Sequence, residues 1–402
     1  MGKNYITALD IGTFEIKAAV VSVGSEKGEL VRFFKHPSAG LRRGAVLEIS
    51  DLVQNLSPVI FEIKKFSRQA AKNIFVNFNS SETKEEKSKG IIAVSHPNNE
   101  ITSEDMERVR RAAEAINLGS NREVLHNIAQ QYIVDGVSVA DPLGLNGNRL
   151  EVESLIINAF SPHIRSLVKA IETAGGEVRN VIFSPLADGT VLSRSQKELG
   201  AMVIDIGAGI TSLAIYREKK LIKTAIFPLG GNNITNDIAI GFKIPISLAE
   251  NLKVNYGCAY AKEINQKEMI DLSTISDYKS IISRRFLAEI IESRLEEIID
   301  LIKDELKTIA KDSLPAGVVL VGGTARLPFI SELISDKLKV YSQIGSTDSS
   351  QWAINAFLNF PGIVEDPMYV NVLGLAQMNS LIKKEIKIDI SNIGKFFKMF
   401  IP

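Results

Sequence analysis

Two short glycine-rich turns follow apolar strands and begin with the same three residues, Asp-Ile-Gly. The first lies in "ALDIGTFEIKAAV", residues 8–20, and the second in "GAMVIDIGAGITSLAIY", residues 200–216. Backbone N–H groups at such turns can hold phosphate oxygens, because glycine has no side chain to block the approach. The aspartate before each turn, Asp10 or Asp205, suits the hydration shell of Mg²⁺, since this ion prefers oxygen ligands and keeps several waters. The two turns together predict a site for a nucleoside triphosphate and its Mg²⁺, whereas one turn alone would equally fit a tight hairpin with a solvated aspartate.

A third glycine-rich turn, Gly322-Gly323-Thr324, follows the apolar strand of "GVVLVGGTARLPFI", residues 317–330. Three such turns in this order are hard to obtain by chance, so the set favours a nucleotide site. The first two turns are expected to supply donors and space through Gly12, Thr13, Gly207, Gly209 and Thr211.

The elements around these turns predict two halves of similar fold. Both Asp-Ile-Gly passages have the pattern of a β-hairpin, and their repetition in one chain indicates a duplicated unit. Between them, residues 57–72 have a helical period, residues 73–78 and "GIIAVS" predict strands, and residues 79–90 predict a charged loop. A helix is expected from the N-capping Thr102 to Ile116, so that residues 80–160 form a small inserted α/β module. In the second half, an apolar stripe predicts a helix within 283–310, made by Phe286, Ile290, Leu295, Ile298 and Ile302.

The composition excludes several classes of protein. The chain has 402 residues, of which 45% are apolar and 23% charged, with 47 basic and 47 acidic side chains, so its charge gives no reason to expect nucleic acid as a partner. With one cysteine, Cys258, it cannot form an internal disulfide, and no Cys/His cluster suggests a metal site. No signal-peptide pattern is present and no apolar run approaches the roughly 20 residues that cross a bilayer, so a cytosolic protein is expected.

The ordered set of turns resembles the actin/Hsp70/sugar-kinase ATPase superfamily, and within it the chain is similar to the FtsA family of bacterial cell-division proteins. The stretch 100–153 discriminates best, because generic ATPase turns would not predict it. The resemblance rests on "GLRRGAVLEISDL" (40–52), "EITSEDMERVRRAA" (100–113), "LHNIAQQYIVDG" with "DPLGLNGNRLEVE" (125–153), "PLGGNNITNDIA" (228–239), "LAENLK" (248–253) and "LVGGTARLP" (320–328).

The resemblance implies an α/β, actin-like two-lobed ATPase fold with an inserted subdomain of the FtsA type (1C, or SHS2). The implied divisions are 1–80 (lobe 1 core, 1A), 81–162 (inserted 1C), 163–198 (lobe 1 return), 199–228 (lobe 2 core, 2A), 229–310 (helical subdomain, 2B), 311–365 (lobe 2 core), 366–382 (return to lobe 1) and 383–402 (linker and amphipathic helix).

The resemblance also implies contacts with ATP and Mg²⁺. Gly230, Gly231 and Asn232 would lie close to the nucleotide at a helix start whose N–H groups suit anions. Gly322, Gly323 and Thr324 would lie against the adenine. Glu250 and Lys253 are three positions apart, and their spacing alone fits either a surface ion pair or, as the resemblance favours, contact with the ribose hydroxyls.

Two departures from the family pattern bear on this site. The first turn of the family usually reads DIGTSK, but Phe14 and Glu15 replace Ser-Lys here. Lys17 falls where actin-type proteins place a phosphate-binding lysine, so we expect it to take this role while Phe14 packs inward; the alternative is a solvated strand lysine. The family often has a carboxylate where Ser184 stands, and hydrolysis needs a group that positions water, so at most weak ATPase activity is expected.

The end of the chain, "DISNIGKFFKMFIP", has the pattern of an amphipathic helix. The periodicity alone favours a terminal helix docked on the core, but proteins of the FtsA family end in a membrane-targeting helix, and the resemblance therefore favours membrane binding. Anionic lipid would attract nearby lysines by about 1 kcal/mol per charge. The expected membrane-facing residues are Ile393, Lys395, Phe396, Phe397, Lys398, Phe400 and Ile401.

The function implied by the resemblance is that of an ATP-binding adaptor in cell division. It would polymerise, bind the C-terminal tail of FtsZ near residues 240–305, where Arg285 and Arg294 could meet acidic residues, and attach the FtsZ ring to lipid. Other divisome proteins would be further partners, and the location would be the cytoplasmic face of the plasma membrane at the division site. The alternatives are a PilM-like adaptor of pilus assembly, a kinase or phosphatase of the superfamily, and an Hsp70-type chaperone, which the lack of a substrate-binding segment disfavours.

Overall fold

The first lobe is built on a five-stranded sheet whose first three strands are antiparallel neighbours. The computed structural model describes residues 4–23, 28–96, 98–307, 314–347, 352–353 and 359–385. The first elements are β1 (Asn4–Ile11), β2 (Glu15–Val23), β3 (Glu29–Pro37), β4 (Leu41–Arg42), β5 (Ala45–Val46), α1 (Ile49–Phe66), α2 (Arg68–Ala71) and β6 (Ile74–Phe78). Strand β6 lies parallel to β1, which is the central strand of the sheet. The apolar side of α1 buries Leu52, Leu56 and Ile60 against this sheet.

An inserted module follows, with a four-stranded antiparallel sheet and one helix. Its elements are β7 (Lys84–Ala93), α3 (Ser103–Glu114), β8 (Arg122–Val134), β9 (Val137–Val139) and β10 (Arg149–Phe160), in the sheet order β7-β10-β8-β9. Thr102 and Asp105 form a reciprocal capping box at the start of α3. The prediction of a loop over 79–90 is wrong from Lys84 onward, because β7 pairs with β10 as an edge strand. Charged side chains on an exposed edge are compatible with a strand and protect it from pairing with other chains.

The chain then returns to the first lobe through α4 (Ser161–Thr173), β11 (Val178–Phe183), α5 (Ser184–Asp188) and α6 (Arg194–Leu199). Strand β11 joins β6 in parallel and completes the sheet in the order β11-β6-β1-β2-β3.

The second lobe repeats this topology. Its elements are β12 (Ala201–Ile206), β13 (Thr211–Arg217), β14 (Lys220–Phe227), α7 (Gly231–Phe242), α8 (Ile246–Tyr256), β15 (Met269–Asp271), β16 (Ile281–Ser283), α9 (Arg284–Leu306), β17 (Val318–Val321), α10 (Ile330–Leu338) and β18 (Ser342–Ile344). The sheet order is β14-β13-β12-β17-β18, with β12–β14 antiparallel and β17 and β18 parallel to β12. In both lobes the first strand pairs on one side with the second strand, in an antiparallel hairpin, and on the other side with a parallel strand. The predicted α/β class and the predicted duplication are therefore confirmed.

Helix α9 differs from its predicted stripe at one end. Leu295, Ile298 and Ile302 are buried as expected, but Phe286 is 46% exposed. Its ring instead packs edge-on against Phe242 at the rim of the helical subdomain, with 5.5 Å between ring centroids. In the first turn of α9 the buried position is therefore taken by Leu287, and Phe286 lies at the edge of the core.

The last described elements are α11 (Pro361–Val364) and α12 (Val370–Glu385). Val372, Leu373 and Leu375 of α12 are buried with Ile6 and Ala8, on the face of the first sheet away from α1. Among the described residues no helix is long and apolar enough to cross a membrane. The predicted membrane-facing residues 393–401 lie outside the described part of the chain.

The inserted module contacts both lobes through polar side chains. His126 Nε2 on β8 accepts a hydrogen bond from the Phe183 N–H of the first lobe, at 3.0 Å. Glu85 on β7 accepts from the N–H and the hydroxyl of Thr224 in the second lobe, at 2.7 and 3.0 Å. Lys223 pairs with Glu85 at 3.1 Å. The module is thus tied to the first lobe by a bond that requires an unprotonated histidine nitrogen.

We expect His126 to make the protein sensitive to acid. Burial lowers the pKa of His126 from 6.5 to about 4, so the fold favours the neutral ring. The stabilisation is complete above pH 6.5 and is lost as the pH falls from there towards 4, because only the unfolded chain binds the proton in that window. Each pKa unit corresponds to roughly 1.4 kcal/mol, and since the ring is only half-buried we expect a loss of about 2 kcal/mol.

The measurement is denaturant unfolding of the wild type and of His126→Gln at pH 7 and pH 4.5. Glutamine keeps an acceptor but does not titrate, so this variant should lose about 2 kcal/mol less stability between the two pH values. His36→Gln, on the edge strand β3, serves as the matched control. Equal acid sensitivity of the wild type and His126→Gln would show that another group is responsible.

Candidate nucleotide-binding site

A cleft of about 510 Å³ lies between the lobes, at the ends of the strands that carry the three glycine-rich turns. The predicted site residues that line it are Asp10, Gly12, Thr13, Lys17, Asp205, Gly207, Gly209, Gly231, Asn232, Glu250, Lys253, Gly322, Gly323 and Thr324. Two other predicted residues lie behind it. Thr211 is fully buried and donates its hydroxyl to the Leu229 carbonyl at 2.9 Å, and Gly230 packs against the backbone of the second turn.

Lys17 is buried in the cleft and pairs with Asp10. The two residues are directly opposite in the β1–β2 hairpin, so their side chains project from the same face. Lys17 Nζ lies 3.0 Å from Asp10 Oδ2, and the side chains are 11% and 7% exposed. Burial alone would lower the pKa of Lys17, but the carboxylates of Asp10, Asp205 and Glu15 outweigh it and raise the pKa. Lys17 is therefore a buried cation in the cleft, and the alternative of a solvated strand lysine is wrong.

Phe14 does not pack inward as expected. Its side chain is 56% exposed at the mouth of the cleft. The turn is closed by a hydrogen bond from the Gly12 N–H to the Glu15 carbonyl, at 3.1 Å. Phe14 lies within this turn rather than in either strand, which directs its ring away from the sheet.

Asn77, at the end of β6, holds the first turn in place. Its Oδ1 accepts from the Ile11 N–H at 2.7 Å, and its Nδ2 donates to Asp10 Oδ1 at 2.7 Å. Both oxygens of Asp10 thus have a donor, one from Asn77 and one from Lys17. Asp10 is oriented towards the cleft by two neighbouring strands.

The floor of the cleft carries two further carboxylates. Burial and the charge of Asp10 raise the pKa of Asp205 to about 7, although Lys17 opposes this shift. The pKa of Asp188, at the end of α5, is raised well above its usual value by burial and by Asp205. Without a ligand, the cleft therefore favours the protonated forms of these two carboxyl groups, and a bound cation would favour their ionised forms.

The start of α7 approaches the cleft without offering the free donors that were expected. The N–H groups of Gly231 and Asn232 donate to the carbonyls of Gly207 and Ala208, at 2.9 and 2.8 Å. These bonds join α7 to the second turn. The helix start instead leaves space in the cleft through its glycine. A Cβ on Gly231 would lie 2.8 Å from Thr324 Oγ1, which is too close for a side chain at this position.

Glu250 and Lys253 form an ion pair on the wall of the cleft, with 2.7 Å between Nζ and Oε2. Lys253 Nζ also donates to the Gly231 carbonyl at 3.1 Å and to Thr235 Oγ1 at 2.8 Å. The lysine side chain is 11% exposed and the glutamate 28%. Glu250 and Lys253 thus form the ion pair that their spacing alone predicts. The pair faces the cleft, however, and not the outer surface.

Gly322 begins the third turn in a conformation that requires glycine. Its φ is +91°, and a Cβ there would lie 2.1 Å from Asp205 Oδ1 and 2.7 Å from the Ile206 carbonyl oxygen. The third turn therefore passes directly over the aspartate of the second turn, and this close approach brings Gly323 and Thr324 to the same cleft.

These residues fit a nucleotide with a hydrated cation. Carboxylates supply oxygen partners for a cation's waters, Lys17 supplies positive charge, and the glycine turns leave space that side chains would fill. Within the described residues no three His, Cys, Asp or Glu side chains converge to coordinate a metal ion directly. A cation here would therefore be held through its waters, with Asp10 and Asp205 orienting them.

Asn77, Asp188 and Asn371 are polar residues of the cleft that were missed in the sequence. Asn77 is the polar residue of the buried strand "IFVNF". Asp188 belongs to "SPLADG", and Asn371 to "YVNVLGL", again polar residues in apolar surroundings. A lone polar residue within an apolar run is the signal that would have singled out each of them.

Comparison with known proteins gives a consistent family match. Residues 202–374 match the family model described as cell division protein FtsA, and residues 80–158 match the SHS2 domain inserted in FtsA. Cell division protein FtsA of Bacillus subtilis is 32% identical over 373 residues, which cover 92% of this chain and 82% of that protein.

Solved structures of the same fold are more distant in sequence. The PilM–PilN type IV pilus biogenesis complex contains a chain that is 19% identical with a TM-score of 0.65, covering 92% of this chain and 97% of that one. MreB5 of Spiroplasma citri bound to ADP is 14% identical with a TM-score of 0.57, covering 96% of this chain and 99% of that one. The predicted actin-like two-lobed fold and the inserted subdomain are thereby confirmed.

Proposed function

Because this chain belongs to the FtsA family of cell division proteins, we propose that it is an ATP-binding adaptor that polymerises and attaches the FtsZ ring to the membrane. The observation that carries the proposal is the cleft in which the three glycine-rich turns, Lys17 and Asp10 meet between the two lobes. A ligand bound to both lobes would fix their relative orientation, and a fixed orientation is what a repeating filament contact needs.

In this proposal the phosphates of ATP lie between the first two turns. Lys17 and the turn backbones bind the phosphate oxygens, and Asp10 and Asp205 orient the waters of Mg²⁺. Glu250 and Lys253 contact the ribose, and Gly322, Gly323 and Thr324 lie against the adenine. Bound Mg²⁺ would neutralise phosphate charge, and ATP turnover is at most slow.

We propose that membrane attachment uses the amphipathic pattern at residues 390–401. Ile393, Phe396, Phe397, Phe400 and Ile401 would enter the interface, while Lys395 and Lys398 would meet anionic headgroups. One short helix binds weakly, so polymerisation would strengthen attachment by bringing many copies together. The site of action would be the cytoplasmic face of the plasma membrane at the division septum.

The FtsZ tail and other divisome proteins are proposed partners, with the helical subdomain as the docking region for the tail. The two arginines expected there are engaged within the subdomain. Arg294 bonds both oxygens of Asp237, at 2.6 and 3.0 Å, and Arg285 contacts Glu289 at 3.2 Å. An acidic tail would therefore have to compete with these carboxylates.

The test is electron microscopy of the purified full chain with ATP on a lipid monolayer that contains anionic lipid. We expect filaments with the wild type, none on the monolayer after deletion of residues 391–402, and strongly reduced binding with Phe397→Glu. Asn392→Glu, on the opposite side of the helical pattern, is the matched control and should retain binding. Undiminished sedimentation of the deletion variant with anionic liposomes would contradict the membrane part, and absence of both filaments and ATP binding would contradict the whole proposal.

A further inference from the structure

Two buried oxygen atoms at the floor of the cleft have no hydrogen-bond partner among the described residues. Asp188 is 1% exposed and Asn371 is 8% exposed, and both line the cleft. The two atoms are Asp188 Oδ2 and Asn371 Oδ1. A buried polar oxygen without a partner is costly, and such an atom in a folded protein calls for a bound water or ion.

The remaining atoms of the two side chains are firmly held. Asn371 Nδ2 donates to Asp188 Oδ1 at 2.7 Å and to the Ser184 carbonyl at 3.3 Å. Since the nitrogen faces two acceptors, the orientation of the amide is determined by its surroundings, and Oδ1 must point the other way. Asn371 Oδ1 is therefore an acceptor, and an ionised Asp188 offers Oδ2 as a second one, so a cation or a group rich in donors would satisfy both atoms.

The position of the pair favours a cation. Asp188 interacts electrostatically with Asp205, Asp10 and Lys17, so it belongs to the same charged floor. Three carboxyl groups share this floor with one lysine. A divalent ion would favour their ionised forms, and its waters would supply the missing donors. A second ammonium group would supply the same donors, but the described residues place no other lysine against Asp188.

We propose that Asp188 and Asn371 bind the waters of a divalent cation at the cleft floor, as a third carboxylate site beside Asp10 and Asp205. The inference rests on the proposed function, because it concerns the same Mg²⁺ that would accompany ATP. It adds that the cation is also held by the two chain segments that carry these residues, α5 and α12. It follows that the cleft binds a divalent cation even without nucleotide.

The test uses Mn²⁺ alone as the probe, with the full chain, no nucleotide and no lipid, and free Mn²⁺ measured by electron paramagnetic resonance. We expect Asp188→Asn, which has nearly the same shape, to raise the Kd for Mn²⁺ at least tenfold, because asparagine offers no negative charge to the cation.

Glu151→Gln is the matched control, since Glu151 is a buried carboxylate (3% exposed) that is ion-paired in the inserted module, away from the cleft. It should leave the Kd for Mn²⁺ within twofold of the wild type. Asn371→Asp is the second variant. It places two carboxylates side by side, so its thermal midpoint should fall without metal and recover with Mn²⁺ by several degrees more than that of the wild type.

A wild type that binds no Mn²⁺, or an unchanged Kd in Asp188→Asn, would overturn the inference and leave Asp188 as a structural partner of Asn371. Loss of stability in Asn371→Asp that Mn²⁺ does not restore would do the same. The proposed function fails separately, if the wild type does not bind ATP with Mg²⁺ whatever its affinity for Mn²⁺.

Discussion

Methionine in place of Lys17 should lower the affinity for ATP about a hundredfold. Hydrogen bonds to charged groups contribute roughly 1.5–3 kcal/mol each, and about 1.4 kcal/mol corresponds to a factor of ten in affinity. Lys17 is the buried cation next to Asp10, so its removal takes positive charge from the place where the phosphates are proposed to bind. It also leaves the carboxylate of Asp10 without its cationic partner, so that Asp10 repels the phosphates. The measurement is calorimetric titration with Mg²⁺-ATP.

Lys35→Met is the matched control, because Lys35 lies opposite Lys17 on β3 but is exposed. It should leave the affinity unchanged. Breaking a buried ion pair also destabilises the fold by roughly 3–5 kcal/mol, so unfolding must be measured in parallel. The double variant Asp10→Asn/Lys17→Met removes both charges and should regain stability without regaining affinity. An unchanged affinity in Lys17→Met would show that the lysine serves only to neutralise Asp10.

The turns were predictable from the sequence because their determinants are local. A run of apolar residues, Asp-Ile-Gly and a second β-rich run suffice to specify a hairpin, and the same closing hydrogen bond is present in both, from Gly12 to Glu15 and from Gly207 to Ile210. The occurrence of this pattern twice in one chain was enough to predict two lobes. The pattern of elements between the turns also predicted the inserted module over residues 80–160, and the family resemblance identified its type.

What the sequence did not reveal depends on distant contacts. Asn77 binds Asp10 across 67 positions and Asn371 binds Asp188 across 183, and no local pattern specifies such pairs. Residues 84–89 were expected in a loop because their charge is typical of one, yet pairing with β10 makes them an edge strand. The free N–H groups expected at the start of α7 are used by the second turn, a contact that only the folded chain creates.

Valine in place of Gly209 should hold the lobes apart and weaken ATP binding by ten- to a hundredfold. A Cβ on Gly209 would lie 2.6 Å from Thr13 Oγ1, 3.0 Å from its Cγ2 and 3.1 Å from its Cβ. Threonine is branched at Cβ and stiff about χ1, so its side chain has little freedom to move aside. The short closing hydrogen bonds within each turn restrict the backbone as well.

The effect should be on closure rather than on the stability of either lobe, because Gly209 lies at the partly exposed tip of its turn. Small-angle scattering should show a larger radius of gyration for Gly209→Val with ATP than for the wild type with ATP. Gly209→Ala should have an intermediate affinity. Gly362→Ala is the matched control, since a Cβ at that glycine would meet no atom of the described residues within 4 Å, apart from its chain neighbours.

The contact between the turns can be tested by removing the other partner. If Gly209→Ala acts by striking the Thr13 side chain, then Thr13→Gly in the same chain should restore closure, because all three atoms that the new Cβ would meet are gone. If the alanine instead acts by changing the second turn itself, Thr13→Gly should lower the affinity for ATP further and should not restore closure. A double variant that closes with ATP as the wild type does would establish that the two lobes meet at these turns when the nucleotide is bound.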